Sequence, residues 1–551
     1  MATFDYVIVG AGAAGCVLAN RLSEDPRVNV ALIEEGPNHN HRKPIVRTPL
    51  AMVTFMAPAL SFLGGPRFVT WYATGREPGL ADRTIAMPRG RGVGGCTNIN
   101  GQVFIRGNAR DYDDWRDMGN AGWGYEDMLP YFRRLETFEP LAAGGRYDDR
   151  LHGTGGPLNV AALRSENPLG ALFLDAAAQV GIPLNDDFNG TTQFGAGRYM
   201  FTQRDGERVT AEGAYLEPAR HRHNLTVFAD RRVTALTMDG TRATGVTWEA
   251  EGGGGDLAAR EVILSAGSFA SPHLLMLSGI GDGDSLRRHG VEVRHHLPGV
   301  GQNLQDHFDV TLEYRASTDV PYGISWRALP RNVMHVLNWL TRRRGLFATT
   351  TAEGGAFVAS SQSDGRPDIQ LYFCSGRANT QSASGFSGHG MLLHVCQLSS
   401  PGTGSVDLVS SDPHDLPAVR YGAYLESDDL IPLREGVRLA RRIASQPMLA
   451  AHIAEEVAPG TGSVTDADID AFIRSSASTL FHPVGTCAMG IDGQAVVDPA
   501  SLRVRGVEGL RVIDASVMPK IVSGNTVAAT YCVAEKGADL VRQSDASSRR
   551  A

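Results

Sequence analysis

The sequence predicts an α/β chain, α+β overall, in which a parallel nucleotide-binding unit is split by a second domain on a mixed or antiparallel sheet with helices. Three observations carry this expectation. A glycine fingerprint follows the first apolar strand, the middle of the chain turns to β-like runs among long polar loops, and a strand ending in a carboxylate returns near the C terminus. At 551 residues the chain is too long for one core, so two domains are expected.

Phe4 to Val9 reads as a buried parallel strand, followed by Gly10-Ala11-Gly12-Ala13-Ala14-Gly15 and a helical run from Cys16 to Ser23. Gly10 permits the tight turn, Gly12 lets the backbone approach a pyrophosphate, and Gly15 lets helix and strand pack closely. The phosphates would sit over the helix N terminus at Ala13 and Ala14. A second strand, Val28 to Ile33, ends in Glu34, 19 residues past Gly15. A carboxylate there accepts both hydroxyls of an adenosine ribose and repels a 2′-phosphate. Further on, Ala243 to Ala250 and Glu261 to Leu264 read as strands, with Gly252 to Gly255 as a hairpin tip. Small residues close the strand Glu261 to Gly267, as the backbone must where it passes a ligand. The next helix is expected to begin at Ser271-Pro272 and to stop at Gly279 to Gly281.

Strands at Ile369 to Phe373 and Met391 to Gln397, with helices around Arg331 to Arg343 and Asp429 to Ser445, mark the inserted domain. Leu510 to Ser516 then returns as a strand with Asp514 at its end, and Thr526 to Arg542 is helical. The expected division is 1–309 for the nucleotide-binding part, with excursions around 155–215, then 310–477 for the substrate domain and 478–551 for the return.

A net charge of −8 without a clustered Lys/Arg footprint argues against nucleic acid as a partner. Six cysteines lie scattered without CxxC or metal-like spacing, so no metal site is expected and the thiols read as reduced and cytoplasmic. The first strand starts four residues from Met1, which leaves no room for a leader. The apolar stretch Thr48 to Leu63 is interrupted by Pro49 and Pro58 and is shorter than the ~20 residues of a membrane-spanning helix. It reads as a cover over a cavity or as a membrane-surface or subunit contact.

Four ordered blocks carry a resemblance over nearly the whole chain: the fingerprint with Glu34; Arg89-Gly90-Arg91-Gly92-Val93-Gly94-Gly95-Cys96-Thr97-Asn98-Ile99-Asn100; Gly267 to Gly281; and His482 to Gly490 with Asp514 to Thr526. Together they resemble the glucose-methanol-choline (GMC) oxidoreductase family, most of all choline, long-chain alcohol and sorbose dehydrogenases. The resemblance implies a Rossmann-like FAD-binding domain and oxidation of an alcohol to an aldehyde or ketone. His482 would be the general base, Asn525 would orient the substrate oxygen, and hydride would pass to flavin N5. No second GxGxxG exists for a nicotinamide and no CxxxxC pair for disulfide reduction.

By the same resemblance Gly94, Gly95, Asn98, Asn100, Gly101 and Val103 follow the flavin and its pyrophosphate. Val233, Ala266, Asp514, Ala515, Asn525 and Thr526 complete the cofactor contacts, and Glu353 and Phe481 face the substrate. Relatives with covalent flavin carry a histidine where this chain has Ile99, so noncovalent FAD is expected. His389 and His394 read as structural, and His307 as packing around the flavin domain. Leu50, Met52, Val53, Phe55, Met56, Leu60 and Phe62 in the apolar stretch point to an apolar or aromatic primary alcohol rather than a sugar. A flavin lyase similar to hydroxynitrile lyases, or a choline dehydrogenase, is the alternative, and dioxygen, a quinone or another carrier stays open as the electron acceptor.

Overall fold

The structure, a computed structural model, describes residues 3–56, 65–140, 147–377 and 388–548. Its first sheet is built on the long strand Gly253–Leu264. The C-terminal half of that strand pairs in parallel with Thr3–Val9 (Val262 opposite Val7) and, on its other edge, with Leu510–Val512. Val30–Ile33 and Leu225–Phe228 extend the parallel part beyond Thr3–Val9. Val7, Ile8 and all of Val30–Ile33 are buried, the apolar run expected of strands covered on both faces. The N-terminal half of Gly253–Leu264 turns antiparallel against Arg242–Ala250, which pairs with Arg232–Asp239.

The hairpin tip therefore lies at Glu251 and Gly252, and three of the glycines expected in it belong to the strand. Gly255 lies opposite Trp248, where a side chain would press on the indole.

The second sheet has eight strands. Ile453–Ala458, Phe308–Ala316, Gly388–Gln397, Ile369–Cys374, Ala352–Val358 and Gly195–Arg198 follow one another, all antiparallel. Gly323–Ile324 adds to Gly388–Gln397, and Ser478–Thr479 to Phe308–Asp309. Helix Ile431–Ala444 covers the sheet, and Gly436 allows its close approach to Val395.

Two helices tie the chain ends together. Ala13–Leu22 rises from the fingerprint and packs against Thr526–Ser548, where Arg21 pairs with the buried Glu535 at 2.8 Å. A third helix, Gly267–Leu277, starts four residues before its expected beginning, so Pro272 falls inside it. Proline has no N–H for the Ser268 carbonyl one turn back, and the Thr486 hydroxyl donates to that carbonyl instead, at 2.7 Å. A helix starting at Gly267 brings its N terminus to the end of the preceding strand.

Gly10 has φ +95°, and a Cβ there would sit 2.6 Å from the Ser265 carbonyl oxygen; a Cβ on Gly15 would collide with the Gly10 carbonyl. Gly15→Ala is therefore expected to cost about 1–3 kcal/mol through overpacking. It should appear as an earlier urea midpoint with native far-UV circular dichroism in the absence of denaturant. An unchanged midpoint would show that the turn relaxes freely.

Candidate active site

A cavity of about 450 Å³ opens at the C-terminal ends of the parallel strands and reaches the face of the second sheet. Val9, Ile33 and Ser265 close its floor, and Tyr372, Cys374, Leu392 and His394 come from the second sheet. The N-terminal residues of three helices line it: Ala13, Gly267 and Thr526.

The fingerprint helix is capped by Gly12, with no side-chain cap and no acidic residue in its first turn. Its first N–H groups and positive dipole end are left for an anion, and a Cβ on Gly12 would meet nothing within 4 Å. Beside the fingerprint Glu34 is buried, its carboxylate accepting from the backbone N–H groups of Ala11, Gly36 and Gly92 at 2.9, 3.1 and 2.8 Å. Burial and the neighbouring Glu35 push its pKa up against those three hydrogen bonds.

Local pairing explains how His482 reaches the cavity. Leu480 N–H donates to His307 O, and Gln305 and Val484 exchange two hydrogen bonds, so Phe481, His482 and Pro483 lie opposite Asp306 alone. The excess forms a bulge, with Phe481 in the left-handed region at φ +63°. Asp306 anchors it: Oδ1 accepts the backbone N–H groups of His482 and His307, both at 2.8 Å, and Oδ2 the Tyr421 hydroxyl at 2.6 Å. Arg89 donates to Phe481 O at 2.9 Å, and Ser268 Oγ to Pro483 O at 2.6 Å.

The His482 ring has a partner on each nitrogen. Nδ1 lies 3.0 Å from His307 Nδ1, and Nε2 lies 3.2 Å from Asn525 Nδ2, while Tyr372 Oη donates to Asn525 Oδ1 at 3.2 Å. Burial, then His307 and Arg89, hold the His482 pKa well below the usual histidine range. Burial lowers His307 as well, to about 4. Asp306 is itself pushed up to about 7 by burial, so it gives an imidazolium little support. Asp111 holds the loop before Asn525 by accepting from Ser523 N–H at 2.6 Å and from Ser523 Oγ at 2.9 Å.

Most residues singled out in the sequence share this cavity. Gly10, Gly12, Ala13, Ala14, Glu34, Gly95, Asn100, Gly101 and Val103 line it, as do Val233, Ala266, Asp514, Ala515, Asn525 and Thr526, with Phe481 and His482. Four do not. Gly15 faces its own strand. Gly94 at φ +101° donates to Ala11 O, and buried Asn98 donates to Val93 O, so both brace the loop from behind. Glu353 turns away, its Oε2 accepting from Asn167 N–H at 2.8 Å, and burial pushes it up to about 8.

In the apolar stretch, Met52, Val53 and Met56 line the cavity, whereas Phe55 is buried among Val46, Phe68, Val69 and Ile99. Leu60 and Phe62 lie outside the described residues. His307 does more than pack, since it touches His482. His394 lines the cavity and pairs with Asp309 at 2.6 Å; burial opposes its charge, but Asp309, with Cys374, outweighs burial and pushes its pKa up to about 10. Gln102 was not anticipated: it is buried at φ +64°, lines the cavity, and neither polar atom of its amide has a partner in the chain. The uncapped helix N terminus at Ala13 and the glycines around it fit the pyrophosphate of a dinucleotide.

Among the described residues no His/Cys/Asp/Glu cluster suited to a metal occurs, and no helix is long and apolar enough to cross a membrane. The six cysteines are free, and all but Cys96 are buried.

The chain is 37% identical over 543 residues to an alcohol dehydrogenase [acceptor] of Pseudomonas putida, covering 98% of this chain and 95% of that protein. It is 39% identical to an oxygen-dependent choline dehydrogenase of Escherichia coli O45:K1, covering 99% and 96%. Among solved structures, pyridoxine 4-oxidase from Mesorbium loti superposes with a TM-score of 0.85 at 31% identity, covering 98% of this chain and 99% of that one. The family models for GMC oxidoreductase match residues 4–309 and 400–534, the two stretches that build this cavity's cradle and its histidine, and the chain belongs to the GMC oxidoreductase family.

Proposed function

We propose that the protein is an FAD-dependent enzyme that oxidises an alcohol to an aldehyde or ketone, with His482 as general base. One observation carries this reading: the imidazole of His482 and the amide of Asn525 meet at 3.2 Å inside a cavity lined by the starts of three helices. The names of the relatives, an alcohol and a choline dehydrogenase, support it.

Gly12, Ala13 and Ala14 would hold the FAD pyrophosphate, Glu34 the ribose, and Gly95, Asn100, Gly101, Val103, Ala266, Ala515 and Thr526 the remainder. Bound there, FAD supplies the acceptor for the hydride that leaves the carbinol carbon. Ile99 offers no nucleophile, so we assign the cofactor as noncovalent. The parts 1–309 and 478–551 would carry FAD and 310–477 the substrate, although Phe308–Asp309 and Ser478–Thr479 already pair within the second sheet. The free thiols suit a reducing compartment, and we place the enzyme in the cytoplasm.

The hydrogen bonds around His482 support one arrangement of its protons. The Tyr372 hydroxyl fixes the Asn525 amide with Nδ2 toward His482, and an amide nitrogen only donates, so Nε2 bears the lone pair. Nδ1–H then donates to His307 Nδ1. A substrate hydroxyl that replaces this Asn525–His482 contact would accept from Asn525 Nδ2 and give its proton to His482 Nε2; the negative charge that builds on the carbinol oxygen then drives the hydride from the carbon as the carbonyl forms. His307 positions the base and does not touch the substrate.

For the substrate, Met52, Val53, Met56, Val103, Leu392 and Leu480 give an apolar wall. The protonated His394 and the absence of Glu353 from the lining disfavour a quaternary ammonium such as choline. An apolar or aromatic primary alcohol is the substrate we infer.

His482→Ala should slow anaerobic flavin reduction by alcohol on the order of 10²–10⁴-fold with FAD still bound. In wild type and variant alike, acid precipitation should leave FAD in the supernatant; reduction at the native rate would remove His482 from the chemistry. The base works unprotonated and its pKa is depressed, so activity should persist as pH falls through the ordinary histidine range and be lost only below about 6.5. An acid limb of kcat/KM at or above pH 7 would contradict a neutral ground state. Medium-chain or aromatic primary alcohols should give higher kcat/KM than glucose, sorbose or choline, and choline or a sugar leading that series would overturn the substrate assignment.

A further inference from the structure

Helix Leu329–Arg342 is built inside out. Polar side chains hold it to the protein: Asn332 Nδ2 donates to Gly323 O at 3.0 Å, and His335 Nδ1 accepts from Leu346 N–H at 3.3 Å. Its apolar side chains face away. Leu329, Val333, Val336, Leu337 and Leu340 fall at i, i+4, i+7, i+8 and i+11, one stripe along the helix, and each is exposed, Leu340 to 63%. Trp326, in the segment leading into the helix, is 91% exposed. A continuous apolar stripe held toward water marks a contact surface.

Charge identifies the partner. No acidic residue lies between Asp319 and Glu353, whereas Arg327, Arg331, Arg342, Arg343 and Arg344 place five positive charges there, in a chain with net charge −8. This corrects the expectation of no clustered Lys/Arg footprint: the net charge of the whole chain conceals a local basic cluster. Arg331 donates to the carbonyls of Asp319 and Pro321, and Arg343 pairs with Glu207 at 2.7 Å. Arg327, Arg342 and Arg344 are exposed and form no ion pair among the described residues.

We propose that this helix docks the enzyme on an anionic lipid surface, with the stripe at the acyl boundary and the arginines among the headgroups. With 14 residues it is shorter than the ~20 needed to span a bilayer, so it lies in the plane of the interface. A second copy suits the face poorly, because a two-fold contact would bring two such arginine clusters together. Arg343 shares Glu207 with Arg47, so the helix is fixed to the body and docks without having to fold. It packs on Leu346–Ala348 and through them on Pro49–Ala51, next to Met52, Val53, Thr350 and Thr351 in the cavity wall. Docking would thus set that wall beside the lipid.

Co-sedimentation of the holoenzyme with vesicles tests the proposal, using phosphatidylcholine alone and phosphatidylcholine mixed equally with phosphatidylglycerol. Binding is expected to the mixed vesicles at low salt, and to fall on the order of tenfold or more at high salt or without phosphatidylglycerol. Each arginine near an anionic surface contributes about fivefold, so R342Q/R344Q should bind about 25-fold more weakly. V333E/L337E/L340E should not bind, and both variants should keep wild-type reduction of a dye with a water-soluble alcohol. No binding to mixed vesicles at low salt, or equal binding by the variants, would overturn the proposal. So would a wild-type dimer in sedimentation equilibrium that the triple variant dissociates, since a second copy would then be the cover.

Discussion

Strand Gly253–Leu264 is the constraint on which the rest depends, because it takes Thr3–Val9 on one edge and Leu510–Val512 on the other. Pairing both ends of the chain with one strand places the fingerprint and Asn525 around one cavity. The geometry is also held electrostatically, since buried Arg511 pairs with Glu261 at 2.9 Å across the same two strands. A buried pair of this kind adds little net stability over apolar residues, but removing one partner strands the other, so it penalises a shifted register.

Around that frame the site is arranged to disfavour charge on His482, the proposed base. Burial, with His307 and Arg89 nearby, disfavours the imidazolium of His482, and His307 itself is lowered as well. The chain accepts local strain to achieve this placement, with Phe481 in the left-handed region and three residues bulged opposite Asp306. The histidine that does carry charge, His394, is paired with Asp309 in the second sheet and reaches the cavity from the other side. Two histidines thus line one cavity with their pKa values shifted in opposite directions, chiefly by burial in one case and by a carboxylate in the other.

The same division between sheet and surface gives the exposed helix its meaning. A helix anchored by Asn332 and His335 turns these polar groups to the protein, and its apolar stripe is left exposed. Its connection to the cavity wall runs through short segments that pack side by side, so the surface and the site are neighbours in space.

Local pattern in the sequence determined what depends on neighbours along the chain: the buried strands at Thr3–Val9 and Val30–Ile33, the glycine turn, Glu34, and the family blocks holding His482 and Asn525. It also misplaced what depends on distant partners. The helix at Gly267 starts early because Thr486 relieves Pro272, and the glycines at 253–255 join a strand because Trp248 lies opposite. Only the tertiary structure decided that His307 holds His482, that Gln102 and His394 face the cavity, that Glu353 turns to Asn167, and that the stripe of Leu329–Arg342 faces outward. His307 and His482 are 175 residues apart, and their contact is set by sheet pairing and a bulge. Helical periodicity gives the stripe but not its direction, because that is fixed by hydrogen bonds to residues outside the helix.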